Sequence, residues 1–236
     1  MDRTAIILQA RMGSRRLPGK SLMTLAGRTL LEHCIARLEA ADLPIVVATT
    51  DRPEDDVIDA AARRNGALVF RGSSDDVLRR YIDAARTFEI GTVIRATADN
   101  PLVDPDGPRR VLELAENVRA DHVVECGLPA GAAVEAVTLS ALERAQALAT
   151  DPYDREHVTS LVRRDVRFQS LRAMAPRTLR RPGLRLTVDT QDDFDFVARL
   201  LEGFASTELP PLGAVIQAAD QLLVQNVVRQ RLQRGA

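Results

Sequence analysis

The stretch Gln9-Ala10-Arg11-Met12-Gly13-Ser14-Arg15-Arg16-Leu17-Pro18-Gly19-Lys20-Ser21 combines cations, glycines and hydroxyls as anion-binding loops do. From Thr4 through Leu31 there is no acidic residue, while Arg11, Arg15, Arg16, Lys20 and Arg28 are all basic. A cation about 4 Å from a phosphate charge gains about 1 kcal/mol in water and about 4 kcal/mol in a partly closed site, before desolvation. Several together suit a triphosphate. Gly13 lets the backbone approach a ligand closely, and Ser14 can donate from hydroxyl and amide. Gln9 and Ala10 end an apolar run and can offer an amide side chain or backbone groups to a pyrimidine edge. The closing Gly-Lys-Ser is not that of an ATP-binding P-loop. Counting back from Gly19 puts Ser14, not Gly13, at the first glycine position, and Pro18 removes a phosphate-cradling N–H. The next helix starts only after Thr29, which has Thr-x-x-Glu capping spacing with Glu32.

Two carboxylates complete a phosphate-handling set. Asp99 follows the apolar run Thr92–Ala96 and Asp189 follows Leu184–Val188, so both belong at the carboxyl edge of a sheet, where open α/β proteins bind ligands. Converging carboxylates repel unless a cation lies between them, and Mg²⁺ takes one or two carboxylates plus phosphate oxygens and water. Asp104 precedes Pro105 and reads as a helix cap. Thr190 and Asp193 form a cap by themselves and leave Asp189 free. Asp76 stands at Ser-x-x-Asp spacing from Ser73 and supports a helix start, whereas Arg71, leaving a short strand, reads as a ligand contact. His157, alone at the start of a helical pattern, reads first as a structural hydrogen-bonder.

The elements that position these residues alternate along the chain. Strands are expected at Thr4–Gln9, Ile45–Thr49, Ala67–Phe70, Thr92–Ala96, His122–Glu125 and Leu184–Val188, mostly as continuous apolar runs of the kind that helices cover on both faces. Helices are expected at Leu30–Ala40, Glu54–Arg64, Asp75–Phe88, Pro108–Val118, Ala141–Leu148, Arg155–Arg164, Asp192–Phe204 and from about Leu212 to Leu232. The pattern is α/β. Between 126 and 183, glycines and prolines punctuate the chain, and this stretch reads as an irregular arm within a single domain spanning 1–236. With 45% hydrophobic residues, 236 residues bury a full core. The 32 basic and 33 acidic side chains nearly cancel, so no global field favours nucleic acid or an anionic membrane. Cys34 and Cys126 show no metal or disulfide spacing, and Met1-Asp2-Arg3 opens no signal-length apolar stretch. The expectation is a cytoplasmic protein with neither membrane nor nucleic-acid partner.

Five ordered blocks carry a family resemblance. Ala10-Arg11-Met12-Gly13-Ser14 with Arg16-Leu17-Pro18-Gly19-Lys20 is similar to the N-terminal signature of cytidylyltransferases related to spore-coat polysaccharide protein F and to the sialic-acid and Kdo cytidylyltransferases. Phe70-Arg71-Gly72-Ser73 with Asp76-Val77-Leu78 and Arg80-Tyr81, and Arg95 through Pro105, resemble the next blocks. Asp151 through Thr159 and Arg185 through Thr190 resemble the last two. The resemblance spans most of the chain up to about residue 200. It implies a Rossmann-like nucleotidyltransferase fold of the nucleotide-diphospho-sugar transferase type. That fold is a three-layer sandwich on a mostly parallel mixed sheet, with a small inserted dimerisation arm at 126–183.

The implied reaction transfers CMP from CTP to a sugar, sugar acid or related phosphorylated or phosphonate acceptor, with Mg²⁺ as cofactor and pyrophosphate released, in surface polysaccharide biosynthesis. It implies catalytic roles for Arg16, Lys20, Asp99 and Asp189, with Asp99 and Asp189 on the metal. Nucleotide-binding roles fall to Gln9, Ala10, Arg11, Gly13, Ser14, Lys20 and Arg71, and acceptor-side roles to Glu135 and His157. Around Glu135 the chain keeps Val134-Glu135 but lacks the preceding aspartate and nearby basic residue usual in relatives. Relatives are commonly dimers, and the apolar residues Ile216, Leu222, Leu223, Val227 and Val228 of the last helix suit a homodimer surface or packing on the chain's own sheet. Two alternatives stay open: a metal-dependent glycosyltransferase using a nucleotide sugar, and a non-catalytic nucleotide-binding relative.

Overall fold

In the computed structural model the described residues are 3–204 and 209–234, with side chains described to Gln225, so Val227 and Val228 lie outside the described side chains. The run Ile6-Ile7-Leu8 has no polar face, and it forms the inner part of β1 (Arg3–Gln9), with all three side chains fully buried. β4 (Ile45–Thr50) lies parallel on one side of β1 and β6 (Ile90–Thr97) parallel on the other, while β5 (Leu68–Gly72) extends the sheet beyond β4. The full order is β5-β4-β1-β6-β8-β7-β9. It includes β7 (His122–Cys126), β8 (Glu135–Thr138) and β9 (Ser170–Met174). β8 alone runs against its neighbours. A two-stranded hairpin, β2 (Thr24–Leu25) and β3 (Arg28–Thr29), stands apart.

Alternate residues of each strand feed two cores, one on each face of the sheet. Ile6, Leu8, Val47 and Ile94 pack against α1 (Leu30–Leu38), α2 (Asp56–Arg64) and α4 (Gly107–Val118). Ile7, Val46 and Val93 pack against α3 (Val77–Thr87) and α5 (Leu139–Leu148). These are the three layers the alternation of elements predicts. A third core joins the hairpin to Leu184, Leu186 and Val188, to α8 (Gln191–Glu202) and to the start of α9 (Leu212–Arg234). Ile216 is buried there and Leu222 packs partly against it.

The structure differs from the sequence expectation in three places. Leu184–Val188 is extended, but its ladder is a single bridge between Ala130 and Arg185. Its alternating apolar side chains enter the third core, and its backbone bonds to loops, Leu186 N–H donating to Ala130 O and Val188 N–H to Asp99 O, each at 2.8 Å. Within residues 126–183, where the sequence offered no strand, β8 and β9 join the sheet and α5 packs on its face. Finally, the helix expected over Arg155–Arg164 is two short ones, α6 (Pro152–Glu156) and α7 (Ser160–Arg164). They are separated by Val158 at φ 48°, a strained value for a β-branched residue.

Candidate active site

β1 ends at the basic loop, and buried contacts fix its path. Asp55, 1% exposed, accepts the Met12 N–H at 2.7 Å and the Thr50 hydroxyl, which ties the loop to the end of β4. Gly19 N–H donates to Met12 O at 3.0 Å with Gly19 at φ 73°, so the loop closes on itself before Lys20. Lys20 opens a 3₁₀ turn, Lys20–Leu22, rather than an α-helix, and the capping box of Thr29 and Glu32 starts α1 later. The rejection of a P-loop holds. Ser14 spends its amide on Met12 O and accepts the Leu17 N–H, which leaves its hydroxyl proton for a ligand.

Lys20 is the centre of the arrangement. Its ammonium, on a side chain only 12% exposed, donates to Asp99 Oδ2 at 3.1 Å, Asp189 Oδ1 at 2.9 Å and the Val188 carbonyl at 2.8 Å. The two carboxylates therefore converge, as their positions after Thr92–Ala96 and Leu184–Val188 predict. Asp99 is oriented by the Thr97 hydroxyl, which donates to it at 2.6 Å. Asp189 also pairs with Arg16 at 3.0 Å and Arg185 at 2.6 Å. Burial works against its charge, and the Lys20 hydrogen bond with the surrounding cations outweighs it, holding the carboxyl below its ordinary range. Thr190 and Asp193 form a complete capping box, leaving Asp189 outside the cap.

The segment bearing Asp189 reaches Asp99 because Gly131 lets it pass. Gly131 has φ 91°, and a Cβ there would meet Thr187 N at 2.6 Å and Asn100 Oδ1 at 2.9 Å. Asp104 does not cap as expected, because Asp106 is the residue at the N-terminus of α4; instead Asp104 is buried, pairs with Arg110 at 2.6 Å and accepts the Asp106 N–H.

A cavity of about 750 Å³ opens over this centre. Gln9, Ala10, Arg11, Gly13, Ser14, Arg16, Lys20, Asp99, His157 and Asp189 all line it. Arg71 and Glu135 do not. Arg71 turns toward the start of α2, where it pairs with Asp56 and donates to the carbonyls of Thr50 and Arg52. Asp76 caps α3, accepting the Arg79 N–H at 2.8 Å. Glu135 is buried, accepting from His122 Nε2 at 3.2 Å and from the Thr159 hydroxyl. Its desolvation is outweighed by the His122 hydrogen bond and the Arg95 charge, which bring its pKa from 4.5 down to about 2. His157 lines the cavity with its ring against Tyr153, centroids 4.2 Å apart, just before the strained turn at Val158.

Sequence reasoning missed several lining residues, among them Arg80, Arg95, Thr97 and Asn100. Their signal was a polar side chain inside an otherwise buried run. Arg80 stands on the apolar stripe of α3 beside Tyr81, and Arg95 interrupts the apolar β6. Gln9 Oε1, Arg80 Nε, Arg95 Nε and Asn100 Oδ1 are inaccessible to solvent and have no partner among the described residues, and all four residues face this cavity.

The family model described as Cytidylyltransferase matches residues 5–225. The chain belongs to the cytidylyltransferase family. It is 34% identical over 212 residues to spore coat polysaccharide biosynthesis protein SpsF of Bacillus subtilis, covering 86% of this chain and 88% of that one. A shorter match, 35% identical over 122 residues, covers 49% of this chain and 47% of 3-deoxy-manno-octulosonate cytidylyltransferase of Chelativorans sp.. A cytidylyltransferase structure from Leptospira borgpetersenii superposes with a TM-score of 0.86 at 30% identity, covering 95% of this chain and 96% of the other. The fold is thus that of the nucleotide-diphospho-sugar transferase type of nucleotidyltransferases. Among the described residues no helix is long and apolar enough to cross a membrane.

Proposed function

We propose that this cytidylyltransferase transfers CMP from CTP to a small acceptor, a sugar, sugar acid or related phosphorylated or phosphonate compound, with release of pyrophosphate. The observation that carries the reading is the convergence of Lys20, Asp99 and Asp189 beside an acid-free cationic loop, in one cavity. An acceptor oxygen forms a bond to the α-phosphorus as the bond to the pyrophosphate oxygen breaks, and the acceptor proton is released. Negative charge grows on the phosphate oxygens, so fixed cations aimed at them lower the barrier. Arg11, Ser14 and Arg16 hold the triphosphate. Lys20 neutralises the reacting phosphate, and Gln9 and Ala10 face the base.

The centre suits a hard divalent cation. Two carboxylates converge on a point that a positive group, the Lys20 ammonium, already occupies. Mg²⁺ takes one or two carboxylates and draws its remaining ligands from phosphate and water. Asp99 and Asp189 would hold it, and when bound it supplies charge neutralisation to the phosphates.

The same reading includes a homodimer and a cytoplasmic site of action in surface polysaccharide biosynthesis. Support for the first comes from Leu223 and Val224 on α9, which are 39% and 63% exposed, and for the second from two free cysteines. Sedimentation at low micromolar concentration tests the dimer. The transfer itself is tested by pyrophosphate release from CTP and Mg²⁺ with a panel of sugar acids, sugar phosphates and phosphonates. Release dependent on one acceptor, and lost in Asp99→Asn and Asp189→Asn, is expected. A nucleotide-binding protein that releases no pyrophosphate with any acceptor class would contradict the reading.

A further inference from the structure

Arg95 is a cation in a place that favours none. It lies in β6 with its side chain 17% exposed, facing the cavity. A guanidinium removed from water needs a counter-charge and acceptors for its N–H groups. The buried Arg37 donates to the carbonyls of Val103 and Pro210, which leaves only its Nη2 without a partner among the described residues. Arg95 makes no such hydrogen bond among the described residues, and its inaccessible Nε has no partner. Its nearest carboxylate there is Glu135, at 3.6 Å and too far to accept.

Glu135 is also shared. It accepts from His122 and Thr159, and Arg163 lies 3.5 Å from the same Oε1 that faces Arg95. One carboxylate therefore stands between two guanidinium groups. Ser170 fixes His122 in turn, its hydroxyl 2.9 Å from Nδ1.

Arg95 shares the cavity with the triphosphate loop but stands on the next strand. β6 lies between β1, which leads into the loop, and β8, which carries Glu135. Tyr81 of α3 and Asp99 also lie near the Arg95 charge, while Thr159 and Arg163 lie against Glu135. We propose that Arg95 recognises an oxyanion, carboxylate or phosphate, on the acceptor, and that Glu135, with His122 and Thr159, is the positioning set that holds its guanidinium at the cavity wall. This rests on the cytidylyl-transfer reading of the same cavity.

The test fills the nucleotide subsite first. Full-length protein is saturated with an α,β-methylene analogue of CTP and Mg²⁺, then titrated calorimetrically with inorganic phosphate and, separately, with glycolate. Binding of at least one anion is expected, with the preferred one giving the acceptor class. Arg95→Met should weaken it by at least about tenfold and Arg95→Lys by less, with analogue affinity kept within about twofold. Glu135→Gln should likewise weaken the anion while leaving analogue affinity intact, whereas a merely structural glutamate would lower both affinities together. Binding of neither anion, equal binding by Arg95→Met, or loss of analogue affinity in Arg95→Met would overturn the proposal. Failure of the wild type to bind the analogue would overturn the cytidylyl-transfer reading and this inference with it.

Discussion

Lys20 holds two carboxylates together, so removing it acts on structure and chemistry by separate routes. Lys20→Met should lower pyrophosphate-releasing turnover by at least about 100-fold, the size of effect seen when one fixed donor to a developing oxyanion is lost. It should also leave Asp99 and Asp189 facing each other, so Mg²⁺ alone should raise the variant's Tm more than the wild type's, readable by differential scanning fluorimetry. Glu135 gives a pH prediction. Its folded pKa, about 2, lies below its ordinary 4.5. The unfolded chain takes up the proton first, so the stabilisation is complete above about pH 4.5 and is lost as pH falls toward 2. The gap in denaturation midpoint between wild type and Glu135→Gln should therefore shrink across that window, and a constant gap would contradict it. The convergence of Asp99 and Asp189 was legible from residue type and position. Arg71 and Glu135 lie off the cavity, since a strand position does not reveal which nearby group a long or buried side chain meets first; Asp56 captures the one and His122 with Thr159 the other.

Elements were legible when their apolar runs were long. β1, β4 and β6 read directly from continuous hydrophobic stretches, and the caps at Thr29 and Thr190 from their spacing. β8 was missed because it is short and begins with a glutamate, and β9 because it is a partly exposed strand at the sheet edge with an arginine in the middle. Leu184–Val188 shows the opposite error, since its alternation is real but its apolar side packs on α8 and α9 and its backbone pairs with loops. That segment supports Asp189, and its closeness to Gly131 gives an element-scale prediction. Gly131→Ala puts a Cβ against Thr187 N and Asn100 at a positive φ, so the segment must shift away from Asp99. A stability loss of about 2 kcal/mol by urea denaturation is expected, with turnover reduced by about tenfold or more. Full activity with unchanged stability would show that the approach is looser than it looks.

For the whole molecule, the near balance of 32 basic and 33 acidic residues sets the cationic loop in a neutral background. Triphosphate affinity should therefore fall steadily between about 50 and 500 mM salt as these local charges are screened, even though the protein carries almost no net charge. Three cores hold the site: two clamp the sheet, and the third clamps the Asp189 segment to the hairpin that follows Lys20. The layered fold was legible from the alternation of runs, whereas the third core depends on contacts between residues far apart in sequence that no local pattern encodes. The central claim is that this assembled centre binds CTP through the loop and the paired carboxylates. Its most direct test is calorimetric titration of the four ribonucleoside triphosphates with Mg²⁺ into wild type and Asp189→Asn. The account predicts selective, Mg²⁺-dependent binding of CTP that falls by about tenfold or more in the variant. No nucleotide binding, or CTP binding unchanged by Asp189→Asn, would contradict it.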